Sequence, residues 1–295
     1  MRLPPQIRML PDGRRLHLQD GPIDLIVEAF GPAGATRAAY AAAVTRFRGI
    51  LDELCDELPL LRMPAHPYRC LLRGPVAKRM HAAVAPFAAD SFITPMAAVA
   101  GSVAEEILDV MTAAASLGKS YVNNGGDIAL HFSTRECFTV GLVDRPDRPS
   151  LFGKTVLTSA NGVGGIATSG WRGRSFSLGI ADAVTVLAAT ASQADAAATI
   201  IANEVDLPGH PAVTRAPAQD LQADSDLGRR LVTRDVGPLD PAEIQEALAR
   251  GVSCAKRLLA AGLIQASALH LQGETQVMGL SANGPEYEQR VLAHA

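Results

Sequence analysis

A chain of 295 residues that is 48% apolar and only 19% charged has the material for a sizeable buried core, which excludes a disordered segment. A formal net charge of −3, with one Trp and four Tyr, leaves neither the basic footprint nor the aromatic platforms expected of a nucleic-acid binder. No apolar run reaches the roughly 18 residues of a membrane span, and Met1-Arg2-Leu3-Pro4-Pro5 lacks a signal-peptide centre.

The first elements are plain. Arg14–Gln19 and Ile23–Phe30, joined at Asp20-Gly21-Pro22, read as a hairpin. From Thr36 to Leu58, apolar Tyr40, Val44, Phe47, Leu51, Leu54 and Leu58 recur at steps of four and three, the stripe of a helix packed on a sheet. Prolines 59, 64, 67 and 75 make the next stretch extended, and a short helix follows over Val76–Phe87. His66 and His81 lack the companions of a metal site.

Met96 to Leu117 reads as a helix ending at Gly118. Its small start, Ala97 to Ser102, admits either another backbone or a ligand. Glu105, Glu106 and Asp109 read as a solvated face. Strands are then expected at Tyr121–Asn123, Ile128–Phe132, Phe138–Val143, Val156–Leu157 and Ala183–Ala188. Arg145 to Pro149 is a turn, and Asn161 to Gly165 is a glycine loop, either a surface hairpin or a cover for a nucleotide. After a helix over Ser192–Glu204, residues 215–240 look irregular. Asp240-Pro241-Ala242-Glu243 opens a helix with cap, first-turn proline and reciprocal carboxylate. Ala266–Gln272 and Gln276–Leu280 read as a final hairpin across Gly273-Glu274-Thr275. Cys55, Cys70, Cys137 and Cys254 form no CxxC pair, so a reducing, cytoplasmic setting is expected rather than a disulfide frame.

Three pieces place small or polar residues where a core segment would carry bulk. In Asn123-Asn124-Gly125-Gly126-Asp127 the Asn-Gly step marks a tight turn, and paired glycines also let backbone amides approach a ligand. In Thr168-Ser169-Gly170-Trp171-Arg172, an indole beside a guanidinium suits a planar ring and a phosphate, or else a core anchor. In the third, Ser192 and Asp195 have capping-box spacing, and Thr199 lies one helical turn after Asp195. Those two oxygens read either as a cap with a back-bonded threonine or as part of a Mg²⁺ shell. Asp182, directly before an apolar strand, could face the same site or bond a neighbouring turn; His210 is the nearest histidine in sequence.

In this order, the three pieces resemble the ApbE family, Mg²⁺-dependent FAD:protein FMN transferases, and especially its uncharacterised ApbE-like branch. The resemblance covers about residues 92–205. It implies an α+β fold, an antiparallel sheet packed with helices, in which the whole chain, 1–295, forms a single unit. It also implies that Asn124 to Asp127 and Thr168 to Gly170 line a flavin-nucleotide site, to which the residues themselves add Asn123, Trp171, Arg172 and Asp182 as candidates. Asp195 and Thr199 would bind Mg²⁺ and carry the chemistry, with the carbonyl of Val99 as a further ligand. Two departures stand out. The family carries Ala-Lys-Gly where this chain has Val99-Ala100-Gly101, and its His-His pair and Asp-Pro-x-Thr-Gly loop are replaced by the shorter Ser175 to Asp182.

Two functions follow as expectations. One is a Mg²⁺-dependent enzyme cleaving FAD, or transferring FMN from it to a protein acceptor or water. The other is a module that binds a flavin, nucleotide or pterin-like ligand without turnover. Neither nucleic acid nor membrane is expected as a partner, and a homo-oligomer is compatible with the sequence.

Overall fold

The computed structural model describes residues 4–143 and 151–279. The expected turn at Arg145 to Pro149 lies outside them, as does Leu280. The N-terminal half runs β1 (Gln6–Met9), β2 (Leu16–Asp20), β3 (Ile23–Phe30), α1 (Ala33–Asp56), α2 (Leu58–Leu61), α3 (Pro75–Val84) and α4 (Val99–Ala114). It continues through β4 (Lys119–Asn124), β5 (Asp127–Phe132), β6 (Cys137–Val143), β7 (Leu151–Thr158), β8 (Gly165–Ser169) and β9 (Ala183–Ala188). Then come α5 (Ala191–Glu204), β10 (Val213–Pro217), α6 (Ala218–Leu221), β11 (Leu231–Val236), α7 (Pro241–Ala260), β12 (Ala266–Leu271) and β13 (Glu274–Gly279).

Nine strands form one sheet in the order β1-β2-β3-β4-β5-β8-β9-β12-β13. Every neighbouring pair is antiparallel. The mixed helix and antiparallel-sheet class expected from the sequence is the one observed.

Alternation along the strands decides the layers. Leu25, Val27, Val122 and Ala129 point to one face and pack with Phe47, Ile50, Ile107 and Met111 of α1 and α4. Further along that face, Ala167, Val184, Val186 and Leu269 pack with Ile201 of α5 and Leu248 of α7. The opposite face carries Leu130, Ile166 and Leu187, covered by the β6–β7 hairpin through Leu157 and Phe138. Helices therefore lie on one side of the sheet, and this side is where the two halves of the chain meet, α4 against α5.

Several expectations hold in detail. The β2–β3 hairpin forms with Asp20 opposite Ile23. Asp240 and Glu243 make the reciprocal box at the start of α7. Others shift. The buried stripe of α1 is Ala39, Ala43, Phe47, Ile50 and Leu54, while Tyr40, Val44 and Leu51 flank it. Ala39 and Ala43 belong to the core that α1 shares with α4 and the sheet, and the bulkier residues flank that stripe. Residues 215–240 are not irregular throughout, since β10 and β11 pair through them. The closing turn sits at Gln272-Gly273, one step before the expected one.

Candidate functional site

The β4–β5 hairpin tip is the starting point. Asn124 is still in β4 and pairs with Asp127, so the two-residue loop is Gly125-Gly126, with φ of +66° and +117°. This corrects the Asn124-Gly125 turn by one residue. A loop with both residues at positive φ matches the twist of an antiparallel pair, and glycine takes it without a Cβ clash. Asn123 locks the tip by accepting the Gly126 N–H through Oδ1 at 2.8 Å.

Strand alternation sends Asn123 and Asn124 to opposite faces. Asn124 faces the helices and donates from Nδ2 to the Ala100 carbonyl at 3.1 Å. Helix α4 begins there with Ala98 as its cap residue, which has no side-chain acceptor for the first amides. Asp195 supplies one from α5: its Oδ2 accepts the Gly101 N–H at 2.9 Å, and the Ala100 amide also bonds to this carboxylate. The hairpin tip, the start of α4 and the first turn of α5 thus converge on Ala100-Gly101. Val99, expected to offer a carbonyl, is the first residue of α4. The carbonyl that Asn124 draws to this point is the one of Ala100.

The small residues at the start of α4 are explained by backbone contact. A Cβ on Gly101 would fall 2.3 Å from the Ala191 carbonyl oxygen. The cap of α5 is Thr190, whose Oγ1 accepts the Gln193 N–H at 3.3 Å, so Ser192 and Asp195 are not a capping box. Both are instead drawn toward α4. Ser192 donates to Glu105 Oε2 from its amide at 3.1 Å and its hydroxyl at 2.8 Å. Glu105 and Glu106 are correspondingly not a solvated face. Arg79 pairs with Glu105, with Glu106 at 3.1 Å and with Asp109 at 2.9 Å; Arg46 pairs with Glu106 at 2.6 Å. Of the three carboxylates only Asp109 stays mainly exposed.

Asp127 joins the cluster from β5. Its Oδ1 accepts the Thr168 N–H at 3.2 Å, which ties the hairpin tip to β8. Burial pushes the Asp127 carboxyl up to about 7, against the pull of that amide. Asp195 is raised well above the usual carboxylate range, first by burial and then by the charge of Asp127. Two carboxylates are therefore within electrostatic reach of each other, with no arginine or lysine bonded to either among the described residues. Thr199 lies one turn along α5 and is half-buried, with no hydrogen-bond partner for its hydroxyl among the described residues.

The remaining residues singled out in sequence form the wall between β8 and β9. Thr168 and Thr185 hydroxyls bond at 2.9 Å. A Cβ on Gly170 would meet the Asp182 carbonyl at 2.5 Å, so the loop closes tightly on itself after Ser169. Arg172 stacks on Trp171 with its guanidinium carbon 4.2 Å from the ring centroid, and its Nε donates to Asp182 at 2.6 Å. Asp182, 3% exposed, also accepts the Gln272 N–H at 2.7 Å. The Trp171–Arg172 pair is therefore braced to β12–β13 through Asp182. His210 bonds Glu243 at the start of α7 and takes no part in the cluster. The glycine loop packs rather than covers: Cβ atoms on Gly164 and Gly165 would strike Ala189 and Ala191 at 2.3 and 2.2 Å.

On the other side of the hairpin tip lies a cleft of about 470 Å³ bounded by Arg8, His17, Asp24, Asn123 and Arg174. Apart from Asn123, no sequence motif marks these residues, which come from β1, β2, β3, β4 and the β8–β9 loop. Only the pairing of strands distant in sequence brings them together.

The family model described as AbpE bacteria matches residues 7–277. Among curated relatives, the UPF0280 protein of Methanopyrus kandleri is 41% identical over 167 residues, covering 56% of this chain and 64% of the relative. The UPF0280 protein of Methanosphaerula palustris is 36% identical over 173 residues, covering 55% and 66%. The match thus spans less than two thirds of the length of either relative. The structure also shares a remote likeness with two solved proteins. The apo flavinyl transferase ApbE of Pseudomonas stutzeri has a TM-score of 0.44 at 12% identity, covering 94% of this chain and 95% of that one. The flavin transferase ApbE of Vibrio cholerae gives 0.46 at 12% identity, covering 90% and 96%. The family assignment stands on the match over residues 7–277: this chain belongs to the family described as AbpE bacteria, an ApbE-like family.

Proposed function

We propose that this protein binds a flavin dinucleotide or a related nucleotide together with Mg²⁺ at the junction of the β4–β5 tip, α4 and α5, and cleaves the ligand or transfers its flavin half. The observation that carries this reading is the pair Asp127 and Asp195, two half-buried carboxylates that accept the Thr168 and Gly101 amides and lie close enough for the charge of one to raise the other. A cation between or beside such a pair offsets the repulsion and lets both stay ionised at neutral pH.

The donors fit a hard cation. Two carboxylates, the Thr199 hydroxyl and a nearby main-chain carbonyl are all oxygens, the set that suits Mg²⁺ rather than a softer metal. Among the described residues no three His, Cys, Asp or Glu side chains gather as a metal cage. The protein supplies a partial shell, as in sites completed by water and substrate phosphates. When bound, Mg²⁺ neutralises charge on a pyrophosphate and on the bond being broken.

The chain's own residues have distinct parts in this reading. Asp127 and Asp195 hold the cation, and the Thr168 and Gly101 amides fix where their oxygens point. Gly126 lets the ligand pass over the tip, since no atom lies within 4 Å of where its Cβ would be. Asn124 is a positioning residue, because it acts through the start of α4. Thr168 to Gly170 and the braced Trp171–Arg172 pair form the wall against which a planar ring rests, held in place by Asp182.

Ala100 stands where the resemblance implies a lysine, and this favours water over a protein hydroxyl as the acceptor. The test is incubation of the purified protein with FAD and Mg²⁺, with FMN and AMP followed by chromatography. The reading predicts release that stops in EDTA and in Asp195→Ala. Ligand-dependent stabilisation without any product would assign the site to binding alone. Neither product nor stabilisation would reject both forms.

A further inference from the structure

The cleft on the helix-free side of the hairpin tip has its own chemistry. Asp24 accepts from His17 Nε2 at 2.7 Å, and Arg8 Nε donates to His17 Nδ1 at 3.0 Å. An Nδ1 that accepts from a guanidinium carries no proton, so the imidazole is held in one tautomer, with its proton on Nε2 toward Asp24. His17 is 7% exposed, which makes this chain of bonds rigid at its centre. Its outer end is Arg8, an exposed residue on edge strand β1, with its Nε occupied and neither terminal nitrogen bonded among the described residues.

Arg174, from the β8–β9 loop, lines the same cleft as Arg8. Its Nη1 lies 3.3 Å from where a Cβ on Gly125 would be, so it is drawn up against the bare glycine tip. Neither arginine pairs with a carboxylate of the described residues, although the cleft contains Asp24, whose Oδ1 is engaged by His17. Asn123 adds a third donor. Its Oδ1 is used by Gly126, which leaves its NH₂ group on the cleft side.

We propose that this cleft is an oxyanion subsite, in which the terminal nitrogens of Arg8, the guanidinium of Arg174 and the Asn123 amide take a phosphate monoester or a carboxylate. Two arginines lining one cleft, one of them held by a buried histidine, match the forked recognition of such anions. A surface arginine without a role gains nothing from a His–Asp pair that fixes its plane. The subsite rests on the nucleotide reading only for the identity of the natural ligand, and it deepens that reading. A ligand crossing Gly125-Gly126 would carry one anionic group to the carboxylate side and a second to the arginine side.

The test is run in EDTA, so that it is independent of the metal-binding carboxylates. Riboflavin and FMN differ by one phosphate monoester, and inorganic phosphate and acetate separate the two anion classes. At fixed ionic strength the wild type is expected to bind FMN about tenfold more tightly than riboflavin, or to be protected thermally by phosphate or acetate where neither flavin binds. The double variant Arg8→Gln/Arg174→Gln, altered at two exposed positions, is expected to fold and to lose that preference or protection. Equal affinity for FMN and riboflavin with no protection by either anion would overturn the proposal, as would an effect of the same size in the double variant. Failure of FAD and Mg²⁺ to bind while the phosphate effect persists would remove the nucleotide reading and leave the subsite standing.

Discussion

Asp127 and Asp195 make the protein's stability depend on pH in a definite direction. A carboxyl whose value is raised in the folded state binds its proton more tightly there than in the unfolded chain. Stability from such a group is fully present below the unfolded value near 4 and declines as pH rises through the folded one, about 7 for Asp127. Metal-free protein should therefore melt at a lower temperature at pH 8 than at pH 5, and Asp127→Asn should flatten that slope. A melting temperature that rises between pH 5 and 8 in EDTA, and does so equally in the variant, would contradict the coupling. At this scale the sequence was partly legible. Asp195 and Thr199 stood out because helical spacing puts them on one face, and Asp127 because it followed two glycines. That Asp127 would lie within electrostatic reach of Asp195, or that Arg172 would be committed to Asp182, depends on contacts across strands that no local pattern encodes. Arg8, His17, Asp24 and Arg174 carried no signal at all, since each is an ordinary polar residue until the sheet assembles.

Among the elements, α4 and α5 meet in direct backbone contact. Gly101 lies against the Ala191 carbonyl, and Asp195 and Glu105 bond across the same contact. Gly101→Ala must push the helices apart or bend one of them. Overpacking of this kind costs about 1–3 kcal/mol, so chemical denaturation should show a loss of that size, with weakened ligand binding because Asp195 moves with α5. An unchanged midpoint would mean that the two helices are not held at this distance. Long elements with a strong pattern were readable: α1 from its stripe, α7 from its capping box, the β2–β3 hairpin from alternation. Strand β8 escaped because Gly165 to Ser169 has little bulk, and its glycine is there to admit the start of α5. The β10–β11 pair escaped because it stands apart from the main sheet and alternates only weakly, with a register shift at Thr214/Arg215. The acidic run on α4 misled for a related reason. Carboxylates on a helix read as solvated until Arg46 and Arg79 arrive from α1 and α3.

Across the whole molecule, one sheet carries the chain from the N-terminal hairpin to the C-terminal one, and its middle strands present both faces of a single hairpin tip. The carboxylates lie on the helix side and the arginines on the other, with two glycines between them. No described helix is long and apolar enough to cross a membrane. The central claim is that the tip and the start of α5 form one site for Mg²⁺ and a nucleotide. Thermal unfolding with FAD, in Mg²⁺ and in EDTA, compares wild type with Thr199→Val, which removes a hydroxyl without stranding a partner. At a hundredfold excess over the dissociation constant the ligand should stabilise the native state by about 2.7 kcal/mol. For a chain of this size that is a rise of roughly 5–10 °C. The account predicts this rise for wild type in Mg²⁺, with most of it lost in EDTA and in Thr199→Val. A rise of equal size in all three conditions, or none in any, would contradict it.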